Sequence, residues 1–155
     1  MAKLVKDLKE FKKLNQNKII GTTFSCWDLL HCGHNLFLAD SQRNCDILIV
    51  GLQTDPTIDR PEKNKPAQTL EEREIQVKSS RYVDYYFIYD TEEFLLQCIE
   101  ELEPNIRFLG DDYVGKKFTG HDLPVKIFFH PRSNYGFSTT ELRNRIYLLE
   151  KDKKY

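Results

Sequence analysis

The run Asp46-Ile47-Leu48-Ile49-Val50-Gly51-Leu52 most constrains what this chain can fold into. It is apolar almost without interruption and lacks the alternation of a strand with one face in water. Such a run fits a strand buried on both faces, the inner position of a parallel sheet covered by helices. Its neighbours in sequence agree. Lys18–Phe24, Tyr82–Tyr89, Ile106–Leu109 and Val125–Phe129 read as further strands. Between them lie helical patterns: one ending near Arg43, one from Thr69 to about Ser80, and Glu92–Leu102, which stops before Pro104. Thr69 with Glu72, and Ser138 with Glu141, have the spacing of capping boxes, and the second opens a last helix. Strands alternating with helices predict an α/β fold, a Rossmann-like doubly wound parallel sheet of about five strands with helices on both faces. Residues 18–155 are expected to form a single domain, and residues 1–17 an N-terminal helix or leader. In such folds ligands bind outside the carboxyl ends of the strands.

Charge and composition narrow the function classes. A formal net charge of −1 gives no broad field for nucleic acid or for an anionic membrane surface. No apolar run is long enough to cross a bilayer, and Met1–Lys13 has no signal-peptide core. The four cysteines, Cys26, Cys32, Cys45 and Cys98, form no CxxC pair and no zinc-ribbon spacing. A reduced, cytoplasmic protein is the expectation. Tyr82, Tyr85, Tyr86 and Phe87 offer an aromatic surface for a homodimer, unless alternate members face the sheet core.

The chemistry concentrates after the first strand, in Trp27-Asp28-Leu29-Leu30-His31-Cys32-Gly33-His34. A histidine pair at a helix start has three readings. The residues can be ordinary polar groups. They can be metal ligands, but zinc needs a further ligand, and neither His121 nor His130 stands at a recognisable spacing. Or they can hold phosphate, which also uses the helix N-terminus and a glycine, Gly33, that lets an anion approach the backbone. Thr54–Gln68 is a long loop with Pro56, Pro61 and Pro66, and it carries Lys63 and Lys65. The histidines, the lysines and Arg132 all follow strands and are expected to meet in one crevice.

The motifs, in order, are Asp-Leu-Leu-His-x-Gly-His, the lysine loop, Arg81-Tyr-Val-Asp84, Gly110-Asp-Asp112, and Arg132 followed by Gly136-x-Ser138-Thr139-Thr140. On these residues, across Ile19 to Leu148, the chain resembles the HxGH nucleotidyltransferase superfamily, in particular its cytidylyltransferase branch of the glycerol-3-phosphate type. The resemblance implies transfer of CMP from CTP to a small phosphorylated alcohol with release of pyrophosphate, and Mg²⁺ bound with the triphosphate. It implies His31, His34, Lys65 and Arg132 as catalytic residues. Cys26, Trp27, Asp28, Gly33, Asp112, Gly136, Ser138, Thr139 and Thr140 would bind the nucleotide, and Lys63 and Arg81 the acceptor phosphate. Asp28 would orient the loop by bonding a histidine, a role compatible with capping the helix. An adenylyltransferase of the same fold, or a nucleotide-binding regulator without chemistry, are the alternatives. The sequence also departs from the family pattern. Cys26 replaces Thr, Ser25 a glycine and Trp27 a Phe, and one additional residue separates Arg132 from Gly136. Glu92–Leu102 lacks the basic residue with which glycerol-3-phosphate enzymes contact the acceptor.

Overall fold

The structure is a computed structural model that describes residues 1–153. Six strands form one sheet: β1 (Lys3–Leu4), β2 (Ile20–Ser25), β3 (Ile47–Gln53), β4 (Tyr85–Tyr89), β5 (Ile106–Gly110) and β6 (Lys126–His130). Their spatial order is β1-β4-β3-β2-β5-β6, and every pairing is parallel. Five helices connect or follow them: α1 (Leu8–Leu14), α2 (Cys32–Arg43), α3 (Leu70–Ser79), α4 (Glu92–Leu102) and α5 (Thr139–Glu150).

Every residue of β3 is buried, as its unbroken apolar pattern requires. One face of the sheet packs Ile20, Ile49, Phe87 and Tyr89 against Leu8 and Phe11 of α1 and Leu95, Ile99 and Leu102 of α4. The other packs Leu48, Val50, Leu52, Tyr86 and Phe108 against Leu38 of α2 and Val77 of α3. The chain leaves β2 for β3 and β4 on one side, then crosses back to β5 and β6 on the other. The strand order therefore reverses beside β2, and connections from β2 and β5 diverge to leave a crevice at their carboxyl ends.

The structure adjusts several expected elements. Within residues 1–17, α1 packs onto the sheet. Leu8 and Phe11 are buried, and Lys12 Nζ donates to the Glu103 carbonyl at 2.7 Å. Lys3–Leu4 adds a sixth strand to the edge of β4. The strand expected from Tyr82 begins only at Tyr85, because Asp84 already exchanges bonds with Leu48: its amide donates to the Leu48 carbonyl, and its carboxylate accepts from the Leu48 amide at 2.9 Å. Tyr86 and Phe87 are core residues, so the run is not an aromatic surface. Cys98 is buried and Cys45 half-buried, and all four cysteines are free thiols.

A single side chain ties the strand ends together. Arg73 of α3 is 2% exposed. Its Nη1 donates to the carbonyls of Cys26 at 2.8 Å and Gln53 at 2.6 Å, its Nη2 to Thr54 at 2.6 Å, and its Nε to Gln68 at 3.2 Å. The guanidinium thus pins the ends of β2 and β3 to the start of α3. Arg73→Met leaves these carbonyls without a donor, which is expected to cost about 3 kcal/mol. Thermal denaturation should show Tm lower by roughly 6–12 °C; an unchanged Tm would mean the clamp contributes nothing.

Candidate active site

The segment between β2 and α2 is bent more sharply than its sequence prepares for. Trp27 and Leu29 have left-handed backbones, with φ of 52° and 49°. Each non-glycine residue in that region costs about 1–2 kcal/mol. Contacts from three residues hold the bend. The Trp27 indole N–H donates to the Gly51 carbonyl at 2.9 Å, and the Leu29 amide donates to Gln68 Oε1 at 2.6 Å. Asp28, 3% exposed, accepts from the amides of Ala67 and Gln68, both at 3.0 Å, and pairs with the Arg143 guanidinium of α5. Burial pushes the Asp28 carboxyl up, but the two amides and Arg143 outweigh it and hold the pKa below the ordinary value. Asp28 therefore neither bonds a histidine nor caps α2. It fastens the end of the lysine loop and α5 to the site.

The cap is His31. Its Nδ1 accepts from the Gly33 amide at 3.1 Å, and His34 Nδ1 accepts from the His31 amide at 3.3 Å. The two rings stand 4.1 Å apart, and Trp27 backs His34 at 5.6 Å. An Nδ1 that accepts carries no proton, so each neutral imidazole holds its proton on Nε2. His31 Nε2 lies 3.3 Å from Thr139 Oγ1 at the start of α5. Burial lowers the pKa of both rings. Arg132 lowers His31 further, and the neighbouring His31 and then Arg132 lower His34, to about 3. Packing gives Gly33 a reason of its own. A Cβ there would meet His31 Cε1 at 2.9 Å and Phe137 at 3.0 Å, so packing within the protein demands the glycine.

These groups border a cleft of about 750 Å³ over the carboxyl ends of the strands. Among the residues singled out from sequence, His31, His34, Cys26, Trp27, Asp28, Gly33, Lys63, Arg132, Thr139 and Thr140 line it. Trp27 is 1% exposed and serves as backing. The others lie outside. Lys65 is turned away, its Nζ 3.8 Å from Asp55, and only its carbonyl, bonded by Arg143, faces the site. Arg81 sits beyond the end of α3 with its guanidinium over the Tyr82 ring, beside a separate shallow hollow. Asp112 stands behind Arg132, 3.8 Å from Nη1. Ser138 caps α5, accepting from the Glu141 amide at 3.1 Å. A Cβ at Gly136 would meet nothing within 4 Å, so no close approach requires glycine there.

The cleft has a second arm, which sequence reading missed. It contains Gln53, Arg60, Glu92, Arg107 and Thr119. Arg107, 5% exposed, is sandwiched between the rings of Phe24 at 4.8 Å and Phe118 at 4.7 Å, and burial pushes its pKa down to about 10. Its signal was an arginine inside the otherwise apolar strand Ile106–Leu109. The other groups gave no signal, because only the topology brings the end of β3, the start of α4 and the strand β5 together. Among the described residues no cluster of three or more His, Cys, Asp or Glu is placed to hold a metal ion. The two carboxylates lining the cleft, Asp28 and Glu92, are engaged by Arg143 and Arg60.

Residues 21–145 match the family model described as cytidylyltransferase-like. The chain belongs to the cytidylyltransferase-like family. It is similar to the bifunctional protein HldE of Campylobacter jejuni, at 33% identity over 96% of this chain and 31% of that one. The HldE proteins of Campylobacter concisus (30% identity, 98% of this chain, 32% of that one) and Helicobacter pylori (33%, 89% and 30%) match comparably. The chain thus spans about a third of the length of these relatives. A lipopolysaccharide core biosynthesis protein from Thermoplasma volcanium shares the fold, with a TM-score of 0.59 and 26% identity over 71% of this chain and 93% of that one. A pantoate-β-alanine ligase from Francisella tularensis shares the fold alone (TM-score 0.57, 17% identity, 99% of this chain and 80% of that one). The cytidylyltransferase-like chain is a nucleotidyltransferase built on this Rossmann-like sheet.

In this cytidylyltransferase-like cleft, His34 folds neutral. Its folded pKa of about 3 lies below the ordinary value of 6.5, so the unfolded chain binds the extra proton between the two. The stability that neutral burial confers is complete above pH 6.5 and is lost as pH falls toward 3. Urea denaturation should show about 2 kcal/mol less stability at pH 5 than at pH 7. His34→Asn should flatten that slope, and an equal loss in the variant would contradict the assignment.

Proposed function

We propose that the chain transfers a nucleoside monophosphate, CMP from CTP, to a small phosphorylated polyol or sugar and releases pyrophosphate. The observation that carries this reading is the pair of neutral imidazoles capping α2, with both Nδ1 atoms occupied by backbone amides. Their Nε2–H groups, the helix N-terminus and Arg132 form a preorganised set of donors at one end of the cleft. The triphosphate lies across that end. An oxygen of the acceptor phosphate attacks the α-phosphorus in line. The new P–O bond forms as the bond to the bridging oxygen breaks, and pyrophosphate leaves with the electron pair. No proton moves and no covalent enzyme intermediate forms. The protein supplies positioning and fixed positive groups where charge shifts.

Lys63, on the proline-bounded loop, neutralises the acceptor phosphate. Arg81, outside the cleft, has no part in this reading, and the Lys65 side chain serves the loop through Asp55. Mg²⁺ enters as part of the triphosphate substrate, because both carboxylates of the cleft are already paired with arginines. The CTP assignment is supported by the order of the motifs and by the family to which the chain belongs.

A pyrophosphate-release screen of ATP, CTP, GTP and UTP against phosphorylated alcohols and sugars tests the reading. CTP is expected to be the donor. Turnover with ATP alone overturns the donor assignment and retains the reaction, and no turnover with any pair overturns both. His31→Ala and His34→Ala are expected to lower kcat by about 10²–10³-fold with the circular dichroism spectrum unchanged. Near-normal turnover in both would remove the histidines from the chemistry.

A further inference from the structure

The arm of the cleft around Arg107 has more organisation than a sheet edge needs. Arg60 Nη2 pairs with Glu92 Oε1 at 2.9 Å and donates to Gln53 Oε1 at 3.3 Å. The Gln53 amide donates to Glu92 Oε1 at 3.4 Å, and the Thr119 hydroxyl donates to the other Glu92 oxygen. Arg107 Nη1 donates to the Thr119 carbonyl, and its Nε and that of Arg60 have no partner. The network joins the end of β3, the proline-bounded loop, the start of α4, β5 and the segment before β6. It lies on the opposite side of the β2 terminus from the histidine pair.

Burying an arginine between two phenylalanine rings is costly unless something there needs the charge. Among the described residues no carboxylate pairs directly with Arg107, and the nearby Glu92 already answers Arg60. The cleft lining as a whole carries six lysines and arginines against two carboxylates. Its potential repels a cationic ligand and favours an anion. The carboxylate, amide, hydroxyl and guanidinium groups of this arm are suited to the hydroxyls of a polyol. A carboxylate accepts from hydroxyls, and a guanidinium donates to their oxygens. The acceptor-side cation that α4 lacks in sequence is supplied in space by β5 and the loop.

We propose that this arm is the acceptor-specificity pocket, that it takes the hydroxylated body of a polyol or sugar phosphate and rejects amino-alcohol phosphates, and that Arg107 and Glu92 determine that choice. The inference rests on the transfer reaction proposed above and names its acceptor class. The acceptor phosphate lies toward Lys63 and the histidines, with its hydroxyls directed to Glu92, Gln53 and Arg107. An ammonium group in their place would stand beside the Arg107 cation, and Glu92, which can still accept from a hydroxyl, has its charge already offset by Arg60.

The test measures kcat/KM, with the preferred triphosphate, for glycerol 3-phosphate, ribitol 5-phosphate and mannose 1-phosphate against phosphoethanolamine and phosphocholine. Triphosphate binding is followed separately through the single tryptophan, Trp27, which backs His34. The wild-type protein should use at least one hydroxylated acceptor and prefer it over both amines by about 100-fold or more. Arg107→Met should raise that acceptor's KM by about 10–100-fold and shrink its advantage over phosphoethanolamine, with triphosphate affinity held within about twofold. A merely structural role would lower both acceptors equally and leave the ratio unchanged, which overturns the proposal. Should Arg107→Met fail to fold, the near-isosteric Glu92→Gln gives the same readout of acceptor KM and ratio. Equal wild-type use of phosphoethanolamine overturns the pocket assignment while the transfer reaction stands. Turnover with no acceptor at all overturns the transfer reaction, and this assignment with it.

Discussion

The Arg73 guanidinium is the constraint on which the rest of the site depends. It bonds carbonyls of Cys26, Gln53, Thr54 and Gln68, which belong to three separate segments of the chain. Without that clamp the ends of β2 and β3 have no fixed relation to the start of α3. The residues that follow β2 then have nothing to bend against. Trp27 and Leu29 hold left-handed backbones only because Gly51, Gln68 and the Asp28 contacts surround them on fixed elements. That bend delivers His31 to the first cap position of α2.

The consequence is a division of the cleft by charge state. At the histidine end, burial and then the positive potential of Arg132 keep the imidazoles neutral, and backbone amides at both Nδ1 atoms leave Nε2–H donors to be presented. At the other end a permanent cation, Arg107, is buried where a histidine or lysine would more readily lose its proton. In the proposed reaction one end serves charge that moves, and the other recognition of a ligand's shape and hydroxyls. The tip of β2 separates them, which is where a phosphate from one substrate would meet the phosphorus of another.

Much of this was legible in the sequence, for identifiable reasons. The run at β3 announced a doubly covered parallel sheet because burial on both faces leaves no polar positions. Capping residues marked α3 and α5 because their bonds are local. The histidine pair, Lys63, Arg132 and Thr139, which line the cleft, stood out because they lie in short ordered motifs. What escaped were contacts made by topology. Arg73 stands among the charges of a polar helix, and Arg60, Glu92 and Arg107 come from a loop, a helix and a strand far apart in sequence. Asp28 was placed in the site for the wrong partner. Its nearest histidine in sequence is three residues away, yet its bonds run to Ala67, Gln68 and Arg143. Lys65 and Arg81 share the motifs of residues in the cleft, but the direction of a side chain on a loop or beyond a helix end is set by neighbours that a motif does not contain.

The central claim is that one cleft joins a triphosphate to a phosphorylated acceptor in a single displacement. Phosphorus NMR of a reaction containing the protein, MgCTP and a hydroxylated acceptor phosphate tests it most directly. The account predicts that the acceptor monoester signal and the triphosphate signals fall together, while a new diphosphate-linked pair and pyrophosphate rise in equal amounts. Pyrophosphate accompanied by free CMP, with the acceptor signal unchanged, would contradict it.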